Sequence, residues 1–187
     1  MRPISVAEIE RTLDSITGMS PDDAKVQVRR MTREQPVVQA YLVAVGLTAG
    51  LNRVETNLVI NMGVAVWRIF DEACGPLPSV SEDTLNRVRE SNSRQVASEF
   101  WSLALASQQS VEATAVLLGR GQDPLGDFHR LVDFLSEDHG QRTMLRFFAR
   151  DLARAAEPEN EVGVRSLSLV DMLRYVKTLV DCFDQSG

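Results

Sequence analysis

The sequence predicts an all-α fold, in which a compact bundle of about eight helices surrounds a central pair of apolar helices. Signals that start and stop helices recur along the chain, and the runs between these signals, at about 16 residues, are longer than typical strands. Residues 35–52 carry no charged side chain, and a second apolar run follows at 58–67. We expect these two segments to form the buried pair around which the other helices pack.

The alternative is an α+β fold, because β-branched valines favour strands. Valine-rich pieces lie at 37–38, 43–45 and 64–66. Helix caps along the chain favour the all-α interpretation, and we find no internal repeat at a solenoid period and no low-complexity tract.

The first two helices are predicted from their capping residues. Ser5 precedes Glu8 by three positions, which is the spacing of a capping box. Gly18 lies where a left-handed C-terminal cap would end this helix. Ser20 then caps a second helix with Pro21 at its first position and acidic residues next to it, at the positive end of the helix dipole.

Prolines set the next boundary. The second helix should end near Glu34, because Pro36 disfavours helical geometry at Gln35. Pro36 can itself open a third helix that runs to about Gly50.

The fourth helix is predicted to start at Asn52, with Glu55 three residues later, and to end at Gly75. Further helices are predicted over 84–106, 111–118, 124–137, 141–156 and from 166 or 168 to 183. The last of these is strongly amphipathic, with apolar residues at spacings of three and four: Leu169, Met172, Leu173, Val176, Leu179, Val180 and Phe183.

Length and composition limit the class of protein. The 187 residues suit a single domain, 1–187, with residues 1–35 as a candidate N-terminal helical arm. The net charge of −6 argues against nucleic acid as a partner, because binding phosphates requires clustered positive charge. Cys74 and Cys182 form no CxxC pair, and the N-terminus shows no apolar signal segment. We therefore expect a reducing cytoplasm.

The apolar segment 35–52 is long enough to be considered as a membrane span or as part of an interface. Its length is at the lower limit for a membrane span, and the charged residues Arg53 and Glu55 separate it from the next apolar run. We therefore expect a buried helix and no membrane partner. Gly46 and Gly50 have GxxxG spacing, which allows close helix packing. The same helix pair is also a candidate homodimer interface.

A polar side of the fourth helix is a candidate ligand site. Arg53, Asn57, Asn61 and Arg68 lie roughly along one side and are candidates for a polar pocket or an anion site. A solvated or partly buried stripe paired with nearby acids is the favoured interpretation, because structural ion pairs are common.

The best metal hypothesis rests on His129, Asp133 and Glu137, whose i, i+4, i+8 spacing places them on one helix face. The HExxH and Glu-x-x-His signatures are absent, so a solvated acidic face is the favoured interpretation. Nucleophile-elbow, P-loop and GxGxxG motifs are also absent, and we expect no cofactor.

Arginines repeat every four residues at Arg142, Arg146 and Arg150 on one predicted helix. Such a ridge could grip phosphate, RNA or an acidic partner. Each four-residue step drifts by about 40° around a helix, so the ridge wraps. Acidic residues flank it closely, and an exposed, ion-paired face is favoured.

No motif in the chain identifies a family. The sequence predicts a non-catalytic helical protein-interaction or scaffold domain that binds a protein partner or self-associates as a homodimer. The alternatives are a metal-dependent hydrolase centred on His129, Asp133 and Glu137, and a helical regulator that binds a small ligand.

Overall fold

The structure is a computed structural model that describes residues 1–48, 50–106, 124–137, 139–157 and 163–186. Within these ranges the chain is all-helical and packed as a compact bundle, which confirms the predicted fold class. The helices are α1 (Val6–Thr17), α2 (Pro21–Glu34), α3 (Pro36–Thr48), α4 (Arg53–Cys74), α5 (Glu82–Ala106), α6 (Pro124–Glu137), α7 (Arg142–Ala155) and α8 (Leu169–Ser186), with a 3₁₀ turn, Ser166–Ser168, before α8. The helix predicted at 111–118 lies outside the described residues. None of the described helices combines the length and the apolar character needed to cross a membrane.

Side-chain caps explain why the first helices begin where they do. Ser5 and Glu8 form both halves of a capping box at α1, and Asn52 and Glu55 do the same at α4. These bonds satisfy backbone N–H groups that have no partner inside the helix. Gly18 closes α1 with φ −81°, in the right-handed region, so the left-handed cap predicted there is wrong.

The centre of the bundle is occupied by α4 and α8. α4 contacts α1, α2, α3 and α8, while α8 contacts α4, α5 and α7. Trp67 and Phe70 of α4 and Phe183 of α8 are fully buried. α4 thus lies at the core as its apolar sequence indicates, and its most extensive partner is the amphipathic α8.

The other apolar helix, α3, flanks the core and is covered on one side. Val38, Leu42 and Val45 are buried, whereas Val43 and Leu47 are 48% and 81% exposed. The sequence could not separate these two faces, because apolar residues occur on both sides of α3.

Two glycines let neighbouring helices approach α4. A Cβ at Gly63 would lie 2.7 Å from Leu42 Cδ2, and one at Gly46 would lie 2.6 Å from Thr56 Cγ2. Gly46 therefore packs closely, as its spacing predicted. Gly50 does not take part, since it follows α3 with φ +66° and no atom within 4 Å of a Cβ there.

Gln141 ties the N-terminal segment to α8. Its buried side chain accepts a hydrogen bond from the Ile4 N–H at 3.1 Å, and its amino group donates to the Arg2 carbonyl at 2.9 Å and to Asp184 Oδ1 at 2.8 Å. α1 then packs on α4 and α7. The segment considered above as an N-terminal arm is in contact with the core along α1.

Glu55 holds the start of α4 to the segment before α8. Its fully buried carboxylate accepts from Arg165 Nη2 at 2.6 Å and Arg165 Nε at 2.9 Å, and also from two backbone N–H groups, those of Asn52 and Arg165. Burial alone would raise the pKa of Glu55, but these hydrogen bonds outweigh it and lower the pKa to about 2.

Replacing Glu55 should remove a pH-dependent part of the stability. A carboxylate whose pKa is lower in the folded state than in the unfolded state stabilises the fold. This stabilisation is complete at pH values above the unfolded-state pKa, about 4.3, and is lost as the pH falls towards the folded-state pKa. We expect Glu55→Gln to lower the free energy of unfolding by about 2 kcal/mol at neutral pH. The loss is not larger, because solvent at the half-exposed Arg165 weakens the ion pair between Arg165 and Glu55. Urea unfolding should show a smaller difference from the wild type in acid. Glu10→Gln, at an exposed position of α1, is the control and should change neither value. An equal loss at neutral and acidic pH would contradict the assignment.

Candidate functional site

An opening in the bundle lies under α2. Of the 14 residues of α2, Met31 alone is fully buried. Towards the start of the helix, Ala24, Gln27 and Val28 follow at helical spacing, and Ala24 and Val28 are exposed. These small or polar side chains do not fill the space in front of α1 and α4, and a cavity of about 340 Å³ remains there. We call it the α1–α2–α4 cavity.

The cavity has mostly apolar walls with a few polar groups, which is typical of small-molecule sites. Its lining residues are Ile16, Met19, Ala24, Gln27, Val28, Asn61, Val64, Trp67 and Arg68. Asn61, Val64 and Arg68 follow one side of α4 at spacings of three and four. The rigid central helix of the bundle therefore supplies one wall, and the lightly buried α2 supplies the opposite wall.

Arg68 connects the two walls. Its Nη1 donates to Gln27 Oε1 on α2 at 2.6 Å, and its Nε donates to Glu72 Oε1 at 2.7 Å. Glu72 also accepts from Thr12 on α1 at 2.7 Å. Burial would raise the pKa of Glu72, but the hydrogen bonds from Thr12 and Arg68 outweigh it and lower the pKa. The charge of Arg68 is therefore already neutralised within the protein.

Trp67 forms the inner part of the cavity wall and is fully buried. The Arg30 guanidinium lies 5.3 Å from the centre of its ring, and Arg30 is paired with Asp71 and Glu34. The indole Nε1–H of Trp67 has no hydrogen-bond acceptor in the described protein. Buried Trp N–H groups usually have a partner, so this donor needs an explanation.

The structure brings together half of the polar residues predicted on α4. Asn61 and Arg68 line the cavity, whereas Arg53 and Asn57 are exposed nearer the start of the helix and do not. Trp67, which the sequence analysis did not single out, is fully buried in the core and also borders the cavity. The feature of the sequence that could have indicated this cavity is the stripe of small and polar residues on α2, which includes Ala24.

The candidate metal residues are on the surface of α6. His129, Asp133 and Glu137 are all exposed, and Asp133 Oδ1 pairs with Arg146 Nη2 at 3.0 Å. In the part of the chain that the structure describes, no three His, Cys, Asp or Glu side chains come together as ligands for a metal ion. The metal hypothesis therefore gains no ligand set from these residues.

The arginines of α7 lie in solvent. Arg142, Arg146 and Arg150 are all exposed. Arg146 Nε also donates to Ser136 Oγ at 3.0 Å, and the Arg150 guanidinium lies 4.8 Å from the centre of the Phe147 ring. Arg146 thus makes the intramolecular contacts that the favoured interpretation predicted for this face.

A second cluster of polar side chains, which the sequence did not predict, lies between α5 and α8. Lys177 Nζ donates to Asp181 Oδ2 at 2.7 Å and to Asn92 Oδ1 at 2.9 Å, and all three residues are buried. His139 contacts Asp181 through Nε2, while its Nδ1 accepts from the Gln141 N–H at 2.9 Å. We call Asn92, His139, Lys177 and Asp181 the Lys177 cluster.

The bonding of His139 argues against a role as a general base. Because Nδ1 accepts a hydrogen bond, the proton of the neutral ring is on Nε2 and is donated to Asp181. Neither ring nitrogen is then available to remove a proton from a substrate. Burial would raise the pKa of Asp181, but His139 and Lys177 outweigh it and lower the pKa. The Lys177 cluster is a structural ion-pair network that borders a smaller cavity of about 190 Å³.

No protein-family model, no curated protein and no solved structure matches this chain.

Removing one partner of the ion pair in the Lys177 cluster should strongly lower the free energy of unfolding. Lys177→Met leaves the buried Asp181 carboxylate without its positive partner, and we expect the free energy of unfolding to fall by about 3–5 kcal/mol. Lys177→Met combined with Asp181→Asn should recover part of this loss, because no buried charge is left unpaired. The other lysine of the chain, Lys25, provides the control: its side chain is 67% exposed, and Lys25→Met should change stability little. Urea unfolding of the four proteins tests this, and a double variant less stable than Lys177→Met would contradict it.

Proposed function

We propose that this protein is a non-catalytic helical domain that binds a small molecule in the α1–α2–α4 cavity. The observation that carries the proposal is the cavity of about 340 Å³, whose walls are mostly apolar. A closed cavity of about 150 Å³ is sufficient for benzene, so this one has room for a molecule of roughly twice that size. Its volume is at the lower end of the range for ligand sites.

The way α2 is held supports the proposal. One buried residue, Met31, and a few polar contacts fasten α2 to its neighbours. An element with so little buried surface costs less to displace than the central helices. α2 is therefore the wall that can shift to admit a ligand, while Trp67 and Val64 on α4 remain fixed by the core.

A second function, self-association, is supported by the exposed side of α3. Val43, Leu47 and, at the start of α4, Val54 are 48%, 81% and 40% exposed. Contiguous exposed apolar surface marks interaction sites. Because residues 35–52 carry no charge, a second copy can place its own Val43 and Leu47 against this side of α3 without opposing like charges. We therefore propose a two-fold homodimer through this face, and the chain would then serve as a self-associating scaffold domain.

The cytoplasmic location is part of the proposal and is supported by the cysteines. Cys74 and Cys182 are both free thiols. Burial raises the pKa of the Cys182 thiol to about 12, so this group stays protonated and unreactive.

Filling the cavity should weaken ligand binding without loss of the fold. We expect butylbenzene, an apolar probe of suitable size, to bind the wild type and to shift the methyl resonances of Ile16, Val28 and Val64 in NMR spectra. Ala24→Phe places a ring in the space that the probe needs, and binding should weaken at least about tenfold. Ala7→Phe introduces the same ring at an exposed alanine of α1 outside the cavity, and it should bind as the wild type does. Absence of binding to the wild type, or unchanged binding to Ala24→Phe, would refute the proposed function.

A charged residue on the exposed apolar side of α3 should prevent self-association. Native mass spectrometry at micromolar concentration should show a dimer of the wild type and a monomer of Leu47→Glu, because the new carboxylates would be buried against apolar surface. Val26→Glu is the matched control, since Val26 is 57% exposed but lies on α2. A monomeric wild type would rule out this second function and would leave the ligand proposal untouched.

A further inference from the structure

Arg68 is the charged residue among those that line the α1–α2–α4 cavity in the described part of the chain. Its side chain is 17% exposed, so it is not sealed inside the core. An arginine at an otherwise apolar site is typical of sites for carboxylates and phosphates, because the guanidinium group pairs with such anions. The class of ligand therefore depends on whether Arg68 is already paired within the protein.

Glu72 pairs with Arg68 from outside the cavity. Arg68 Nε donates to Glu72 Oε1 at 2.7 Å, while Arg68 Nη1 donates to Gln27 Oε1 at 2.6 Å. Thr12 holds the other oxygen of Glu72, to which its hydroxyl donates at 2.7 Å. Burial would raise the pKa of Glu72, but the hydrogen bonds from Thr12 and Arg68 outweigh it and lower the pKa, so Glu72 is ionised at neutral pH. The positive charge at the cavity thus has a fixed negative partner.

We infer that the cavity takes uncharged, mostly apolar molecules and that Glu72, acting through Arg68, makes it reject anions. This inference rests on the proposed function and adds the chemical class of the ligand and the residue that determines it. A bound carboxylate would compete with Glu72 for one guanidinium group, and two carboxylates sharing one positive charge repel each other. Removing the ligand carboxylate from water would then have no compensating ion pair. A neutral molecule avoids both costs.

The test compares two probes of the same shape that differ in charge. Phenylbutyramide is neutral and phenylbutyrate is an anion at neutral pH, so the ratio of their dissociation constants, measured by isothermal titration, reports the charge preference of the cavity. The cost of removing each probe from water is the same for every variant and cancels when the ratio is compared between proteins. We expect the wild type to bind the amide more tightly. Glu72→Gln should shift the ratio at least about tenfold towards the anion, because Arg68 then has no carboxylate partner.

Two further variants separate charge selection from a general effect on the fold. Glu34→Gln removes a carboxylate from Arg30, an arginine outside the cavity lining that keeps Asp71 as a partner, so the ratio should not change. Arg68→Gln combined with Glu72→Gln should lose the gain in anion binding, because the positive charge is gone. The gain in Glu72→Gln should also decrease as salt is added, since salt screens the attraction between the probe and Arg68.

The wild type keeps the inference testable if Glu72→Gln is poorly folded. Tighter binding of phenylbutyrate than of phenylbutyramide to the intact protein would overturn the inference in favour of an anionic ligand. A folded Glu72→Gln that gains no affinity for phenylbutyrate relative to the neutral probes would overturn it as well.

Butylbenzene separates this inference from the proposed function, because it carries no polar group. If butylbenzene binds the wild type and Glu72→Gln leaves the charge preference unchanged, the assignment of Glu72 is wrong and the cavity remains a binding site. If none of the three probes binds the wild type, the proposed function and the inference both fail.

Discussion

The burial of α4 is the constraint on which the rest of the structure depends. Apolar side chains point from this helix in several directions, and Trp67, Ile69 and Phe70 are all fully buried. One neighbour cannot cover them, so α1, α3 and α8 pack around the helix. Gly63 allows this crowding, because any side chain there would meet Leu42 of α3 and Leu179 of α8. The candidate site arises where this cover is incomplete, beneath α2.

Polar contacts fix how the surrounding helices are placed, and they occur at three separate junctions. Gln141 joins the N-terminal segment to α8, Glu55 joins the start of α4 to Arg165, and the Lys177 cluster joins α5 to α8. At each junction a buried charged or amide side chain has several partners, as the desolvation cost of such groups requires. Beside the cavity the pattern changes, because the Trp67 N–H is buried and lacks an acceptor in the described residues.

The sequence was most informative where the physical cause is local. Ser5 with Glu8 and Asn52 with Glu55 predicted the starts of α1 and α4, because a cap needs only residues three positions apart. The candidate sites depend on contacts between distant segments. Lys177 and Asn92 are separated by 85 positions, so no spacing along the chain could join them. Asn61 and Arg68 were identified as a polar side of α4, but their cavity exists because α2 presents Ala24 to them.

The distribution of amines has a practical consequence. The chain contains two lysines, of which Lys177 is enclosed between α5 and α8 and Lys25 projects from α2 with most of its side chain in solvent. An amine-reactive dye applied to the folded protein would thus be directed to Lys25 over Lys177. Lys25 is adjacent to Ala24, so the dye would be attached to the helix that forms one wall of the α1–α2–α4 cavity. The protein thereby carries a native attachment point for an optical reporter of occupancy, and no residue has to be engineered for the purpose.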